Sequence, residues 1–288
     1  MMIDHFIDIG ERQPVIQNII TKVNQHNFNA KVEVNDPVMD LNEEQQVIRK
    51  FQRLMLTTKY QRHNYLARKI MNVAAASLKP SLQVTTNQNL KTLPRPSIIT
   101  CNHFNPIDSL LVRQGLNLKR LGIVIEPTNL KMPGILGYLM NYTDTIPISQ
   151  SFTYMKKDFQ NLVTHNFIRH LPLLIFPEGE MWFNYRKPRP LQRGAYYYAA
   201  KNHVPIISCF VAIFDKPTTK DPHAVKYQLM VLKTINIDSS LSVNEASEKY
   251  RQIDYQQKIA AYEAAYHKQF NPAFETDDIA GNYSQDNG

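Results

Sequence analysis

The sequence predicts an α/β fold, a mixed sheet flanked by helices and preceded by basic amphipathic helices. Three observations predict it. Apolar, β-branched runs of strand length recur at 97–101, 121–126, 172–176 and 205–214. Stretches with helical apolar spacing lie between them. Polar turn residues follow the runs, which puts loops at strand ends. Strands alternating with helices make a layered α/β sandwich with its active residues at the ends of strands.

Taken in order, residues 15–23 (VIQNIITKV) have helical spacing, 30–34 alternate as a strand does, and Asp36-Pro37 signals a turn. Residues 1–41 read as a small N-terminal appendage without a functional motif. Asn42 is placed to cap a helix, with Glu43 and Glu44 in its first turn and Val47, Phe51, Leu54 and Met55 on one face. Leu66, Ile70, Val73 and Ser77 form a second periodic set. Arg49, Lys50, Arg53, Lys59, Arg62, Arg68, Lys69 and Lys79 surround both. This basic segment, 42–80, suits an anionic membrane surface, its apolar face meeting acyl chains and its cations meeting headgroups. It suits equally two helices packed on a domain with a solvated basic face.

Further on, 82–86 reads as a strand, 107–113 as a helix and 121–126 as a strand. Residues 130–141 (LKMPGILGYLMN) form a short apolar helix broken by Pro133-Gly134, an acyl-chain surface or plain core. Helices follow at 152–171 and 190–202, strands at 205–214 and 227–237, and a long charged helix at 245–270. His165 and His170, five apart, fall on different helical faces and make no metal pair. The tail from Glu275, with Asp277, Asp278 and Asn282, reads as disordered.

The chain of 288 residues is 43% hydrophobic and 20% charged, ordinary globular values, with a formal net charge of +8. That charge favours acidic partners: anionic lipid, nucleic acid or an acidic carrier protein. Cys101 and Cys209 both sit in apolar runs, as buried free thiols do in a reducing compartment. Residues 1–10 contain Asp4 and Asp8 and lack the apolar core of a signal peptide. No run approaches the length of a spanning helix. Work on lipid would be done from the cytoplasmic surface of a membrane.

The chemistry centres on 99–108 (ITCNHFNPID). The strand 97–101 ends at polar turn residues; Asn105 is placed as an N-cap and Pro106 as the first helical residue. His103 then lies on a loop, where catalytic groups collect. On a continuous helix residues five apart point about 140° away from each other. With His103 outside the helix, the chain can fold back and bring Asp108 to one ring nitrogen, leaving the other as a proton acceptor. The same residues also read as a plain helix start, with Asp108 favoured by the dipole. The spacing alone does not decide between them.

A second block does. Residues 172–176 (PLLIF) are followed by Pro177-Glu178-Gly179. Asn102-His103-x4-Asp108 and Phe176-Pro177-Glu178-Gly179, in that order and at that separation, resemble the glycerolipid acyltransferases of the 1-acylglycerol-3-phosphate type. Val204-Pro205-Ile206-Ile207 and Arg193-Gly194-Ala195 match further family blocks, so the resemblance covers roughly 80–215. It implies a catalytic domain over 81–240, with 241–288 as C-terminal helix and tail. It implies acyl-CoA or acyl carrier protein as donor, no bound cofactor or metal, and a lysophospholipid acceptor, 1-acylglycerol-3-phosphate first among them. It implies His103 as base, Asp108 as its partner, and Asn102, Glu178 and Gly179 at the substrate.

Two departures bear on the acceptor. Where the family places phosphate-side arginines, this chain has Gln150 and Met181, and a neutral amide cannot supply the charged bidentate contact phosphate favours. Arg186, Lys187, Arg189 and Arg193 are candidates to replace them, or a solvated loop. Trp182 and Tyr185 are placed to stack on a sugar, so a glycolipid hydroxyl is an alternative acceptor. The expected mechanism is direct transfer: neutral His103 takes the acceptor's proton, Asp108 stabilises the imidazolium, and backbone N–H groups near Pro106 steady the oxyanion. No Gly-x-Ser-x-Gly elbow is present, which disfavours an acyl-enzyme. A non-catalytic lipid or carrier-protein binding module needs none of the three acid-base residues. A nucleic-acid binder would show a binding motif that this chain lacks, so nucleic acid is not an expected partner.

Overall fold

The computed structural model describes residues 12–34 and 36–281. The stretch 1–10 and Asn282, on which expectations were stated, lie outside them. Strands β1 (Leu82–Thr86), β2 (Ile98–Thr100), β3 (Gly122–Ile125), β4 (Thr145–Pro147), β5 (Leu173–Ile175), β6 (Ile206–Asp215) and β7 (Val225–Val231) form one sheet. Their order is β1-β7-β6-β2-β5-β3-β4. The five strands from β6 to β4 are parallel, β7 is antiparallel to β6, and β1 is parallel to β7. The mixed sheet flanked by helices is thus the fold the sequence predicts. Strand β4 was not read as one: it is three residues long, at the edge, and its Pro147 ends it.

Helices α1 (Gln13–Asn24), α2 (Leu41–Met55), α3 (Thr58–Ser77), α4 (Asp108–Gly115), α5 (Gly134–Tyr142), α6 (Phe152–Tyr154), α7 (Gln160–Ile168), α8 (Gly194–Lys201) and α9 (Val243–Tyr266) cover the sheet. Alternation along each strand assigns its residues to the two layers. Ile99, Leu174 and Ile207 pack with α2 and α4, whereas Ile98, Leu173 and Ile206 pack with α7, α8 and α9. Because both faces are buried, the central strands are apolar throughout rather than alternating.

Several expectations are corrected. Asp40, not Asn42, caps α2, accepting the Glu43 N–H at 2.8 Å; Asn42 already lies inside the helix. Residues 30–34 form no strand, because their carbonyls serve side chains: Ala30 accepts from Trp182 Nε1 and Val32 from Asn18, both at 2.9 Å. The apolar face of α2 is used internally, with Phe51 buried and Val47, Leu54 and Met55 packed on the core. The stretch 275–281 is ordered: Asp278 is buried against Lys187 Nζ at 2.8 Å, Ile279 bridges Tyr185, and Ala280 is buried. Its polar composition hid this, since its carboxylates are ion-paired rather than solvated.

A buried polar cluster joins α9 to the strands that carry the site. Lys258 Nζ donates to Asp254 Oδ1 at 2.6 Å, Thr100 Oγ1 at 3.1 Å and Ser208 Oγ at 3.3 Å. Asp254 Oδ2 accepts from Thr100 at 2.8 Å and from the Tyr196 hydroxyl. Lys258→Met leaves the Asp254 carboxylate buried without its cation, a loss on the order of 3–5 kcal/mol. The urea midpoint should fall with the slope unchanged; an unmoved midpoint would show that the cation is dispensable.

Candidate active site

Parallel pairing of β2 with β5 sets Thr100 beside Ile175, so the loops leaving both strands emerge side by side. One carries His103 and the other Phe176-Pro177-Glu178-Gly179. The two aromatic rings stack, their centroids 4.1 Å apart and their planes 11° from parallel. His103 Nδ1 lies 2.8 Å from Asp108 Oδ2. The same carboxylate oxygen accepts the N–H groups of Phe104 at 2.7 Å and Asn105 at 3.0 Å. The chain therefore folds back as expected, but the helix begins at Asp108, after a turn in which Asn105 Oδ1 accepts the Ile107 N–H at 3.3 Å.

Asp108 is 1% exposed and burial pushes its carboxyl above the usual range, while His103 and the two N–H groups pull it back. A buried carboxylate facing Nδ1 fixes the proton there and leaves Nε2 as an acceptor. His103 lines a cavity of about 530 Å³, the scale of a ligand site. Apolar side chains of β3, α5, β5 and the turn after α6, among them Ile125, Met140, Ile175 and Phe159, line it deeper in. The N–H groups of Phe104, Asn105, Ile107 and Asp108 are all engaged within the turn. The turn's first N–H groups therefore do not form the oxyanion site expected near Pro106.

Glu178 and Asn102 hold the loop rather than line the cavity. Asn102 Nδ2 donates to the Val211 carbonyl at 3.0 Å and its Oδ1 accepts the Val211 N–H at 2.8 Å, continuing the β2–β6 pairing past the end of β2. Glu178 Oε2 accepts the His103 N–H at 3.1 Å and pairs with Arg189 at 2.9 Å. Its Oε1 accepts the Arg189 backbone N–H at 3.0 Å. Arg189 in turn donates to the His103 carbonyl at 3.3 Å. Gly179 does line the cavity, at φ +82°, a conformation that favours glycine.

The basic run does not line the cavity either. Arg186 pairs with Asp215 at 2.7 Å, Lys187 with Glu275 at 2.7 Å and Asp278 at 2.8 Å, and Arg193 bonds Asn244 at 2.8 Å. Lys187 and Arg189 are buried. Trp182 and Tyr185 are also buried, packed on α1, and are closed to a sugar. Burial pushes both thiols up, Cys209 to about 12 and Cys101 well above the ordinary value, which leaves neither as a nucleophile at neutral pH. The sequence reading missed the residues at the cavity mouth, Lys31, Glu33, Asp36, Glu126 and Glu180. Only Glu126, at the end of a legible strand, carried a local signal.

This geometry defines an α/β protein with a histidine–aspartate dyad at the mouth of an apolar cavity. Residues 81–212 match the acyltransferase family, described as "Acyltransferase". The structure is similar to the 1-acyl-sn-glycerophosphate (LPA) acyltransferase PlsC from Thermotoga maritima, with a TM-score of 0.51 and 14% identity over 89% of this chain and 99% of that one. No curated protein matches the chain. Residues 81–212 thus carry the match to the acyltransferase family, and the chain shares the fold of the PlsC enzyme.

Asp108→Asn tests the dyad. The amide oxygen can keep the contacts to Nδ1 and to the Phe104 and Asn105 N–H groups, but the negative charge that would stabilise the imidazolium is lost. Turnover should fall on the order of 10²–10⁴-fold with the fold intact by circular dichroism. Retained turnover would show that Asp108 only caps the turn.

Proposed function

We propose that the chain is a lipid O-acyltransferase that moves a fatty acyl group from a thioester to the hydroxyl of a lysolipid. The observation that supports it is the His103–Asp108 dyad opening onto an apolar cavity of ligand size. The acceptor hydroxyl donates to Nε2 and its oxygen lone pair forms the new C–O bond at the thioester carbonyl. The imidazolium is stabilised by Asp108, the C–S bond breaks, and the proton passes from Nε2 to the departing thiolate. Acyl-CoA and an acidic acyl carrier protein both suit a chain of net charge +8. For the acceptor, family and fold favour 1-acylglycerol-3-phosphate. The carboxylates of this chain's own cavity mouth favour an acceptor without a phosphate monoester, and they bear on the site directly.

Acyl transfer from a labelled thioester to a panel of lysolipids, with wild type beside His103→Ala, tests the reading. Loss of product on the order of 10²–10⁴-fold in the variant is expected. Equal product from both proteins would refute it.

A membrane surface as partner is supported by α2 and α3. Leu56, Tyr65, Leu66 and Val73 are exposed among the exposed Arg49, Lys50, Arg53, Lys59, Arg62 and Lys69. Among the described residues no helix is long and apolar enough to cross a membrane. Sedimentation with vesicles containing anionic lipid should be salt-sensitive and weakened by Leu56→Glu with Leu66→Glu. Vesicle binding that neither salt nor this double change alters would place the docking surface elsewhere.

A further inference from the structure

The cavity mouth is built partly from a segment outside the family-matched residues. The chain after α1 crosses the loop that follows Gly179 and sets Lys31, Glu33 and Asp36 at the opening, facing Glu126 and Glu180. Lys31 Nζ lies 2.6 Å from Asp36, 3.0 Å from Glu126 and 4.0 Å from Glu180. Arg12 pairs with Glu33 at 2.9 Å. The lining thus holds four carboxylates at its mouth and a fifth, Asp108, at the dyad, against the single cation Lys31. Burial, and the neighbouring charge of Glu126, push the Glu180 carboxyl up.

A second observation concerns the basic residues in and after the loop that follows β5. Arg186, Lys187 and Arg189 are ion-paired with Asp215, Glu275, Asp278 and Glu178, Arg193 bonds Asn244, and none of the four lines the cavity. Lys31 is already surrounded by acceptors. Among the described residues of the lining, a phosphate dianion at this mouth would meet four carboxylates and one cation, Lys31, which three of them already hold. Asp108 Oδ1, buried and accepting no hydrogen bond among the described residues, adds acceptor capacity rather than a donor.

We propose that the mouth selects the acyl acceptor by charge: the hydroxyl belongs to a lysolipid whose head carries no net negative charge, and Glu126 and Glu180 are the specificity-determining residues. This rests on the acyl-transfer reading and narrows its acceptor. The head is a neutral polyol or an ammonium-bearing group; both share the absence of anionic charge. Lys31 holds the carboxylates together until the head arrives, and the mouth, negative overall, then concentrates neutral and cationic heads over anionic ones.

Three acceptors that differ at one substituent decide it: 1-O-alkylglycerol, its 3-trimethylammonio analogue and its 3-phosphate, each in uncharged detergent micelles. Wild type should use the first two at least tenfold better, by kcat/KM, than the phosphate. The gap between the first two tells a polyol from an ammonium head. Glu126→Gln with Glu180→Gln should narrow the preference several-fold, through KM for the phosphate, and Glu180→Arg should narrow it further. Calorimetric binding of the same three compounds to His103→Ala separates selection from chemistry. The same order of affinity without transfer by wild type would uphold the charge selection and sink the acyl-transfer reading. Transfer with the phosphate preferred, or a ratio indifferent to both glutamates, would overturn the charge selection alone.

Discussion

The placement of His103 depends on one buried ion pair. Glu178 accepts the backbone N–H of His103 while Arg189 donates to its carbonyl, and the two side chains meet at 2.9 Å. Both main-chain groups of the residue are thereby held by opposite ends of a single charge pair. Trp182 N–H also reaches the His103 carbonyl at 3.1 Å, and Asn184 N–H reaches that of Phe104 at 2.9 Å. The loop after β5 thus clamps the loop after β2, and the stacked Phe176 ring limits rotation of the imidazole. Burying two charges is costly, and removing either partner would strand the other. The gain is positional: a base must sit within a few tenths of an ångström of its proton donor.

Charge is used twice in this molecule, in opposite senses. Inside, Lys187, Arg189 and Lys258 are consumed by buried carboxylates and shape the scaffold. At the cavity mouth carboxylates outnumber cations and act on whatever approaches. The positive net charge therefore describes the outer surface of α2 and α3 far better than it describes the site. The net charge of +8 thus bears on partners that meet the outer surface rather than on the lining of the cavity.

The sheet was legible because it rests on local pattern, and the dyad and the two motif loops because together they resemble a known family. Strand-like runs marked six of the seven strands, and Asn102-His103-x4-Asp108 marked the dyad only once Phe176-Pro177-Glu178-Gly179 was set beside it. What was not legible depended on contacts far apart in sequence. Glu178 reads as a substrate ligand until Arg189 is seen beside it. Trp182 reads as an exposed stacking platform until Ala30 accepts its indole N–H, 152 residues away. The tail reads as disordered until Asp278 finds Lys187. In each case a polar or aromatic side chain had a distant partner that no spacing announces.

Both ends of the described chain converge on the stretch from Trp182 to Arg189. Residues of α1 and the segment behind it cover Trp182, Phe183 and Tyr185 from one side, and Ala273, Asp278 and Ala280 bond Lys187 and Asn184 from the other. The boundaries of the family match, 81–212, exclude both covers. A fragment cut at those limits would retain both motif loops yet expose three buried aromatic rings and leave a buried lysine without its carboxylate partners. Fragment boundaries for expression or domain exchange belong at the edges of this wrapping, and the cover over the loop that clamps His103 is complete only once Ala280 has been synthesised.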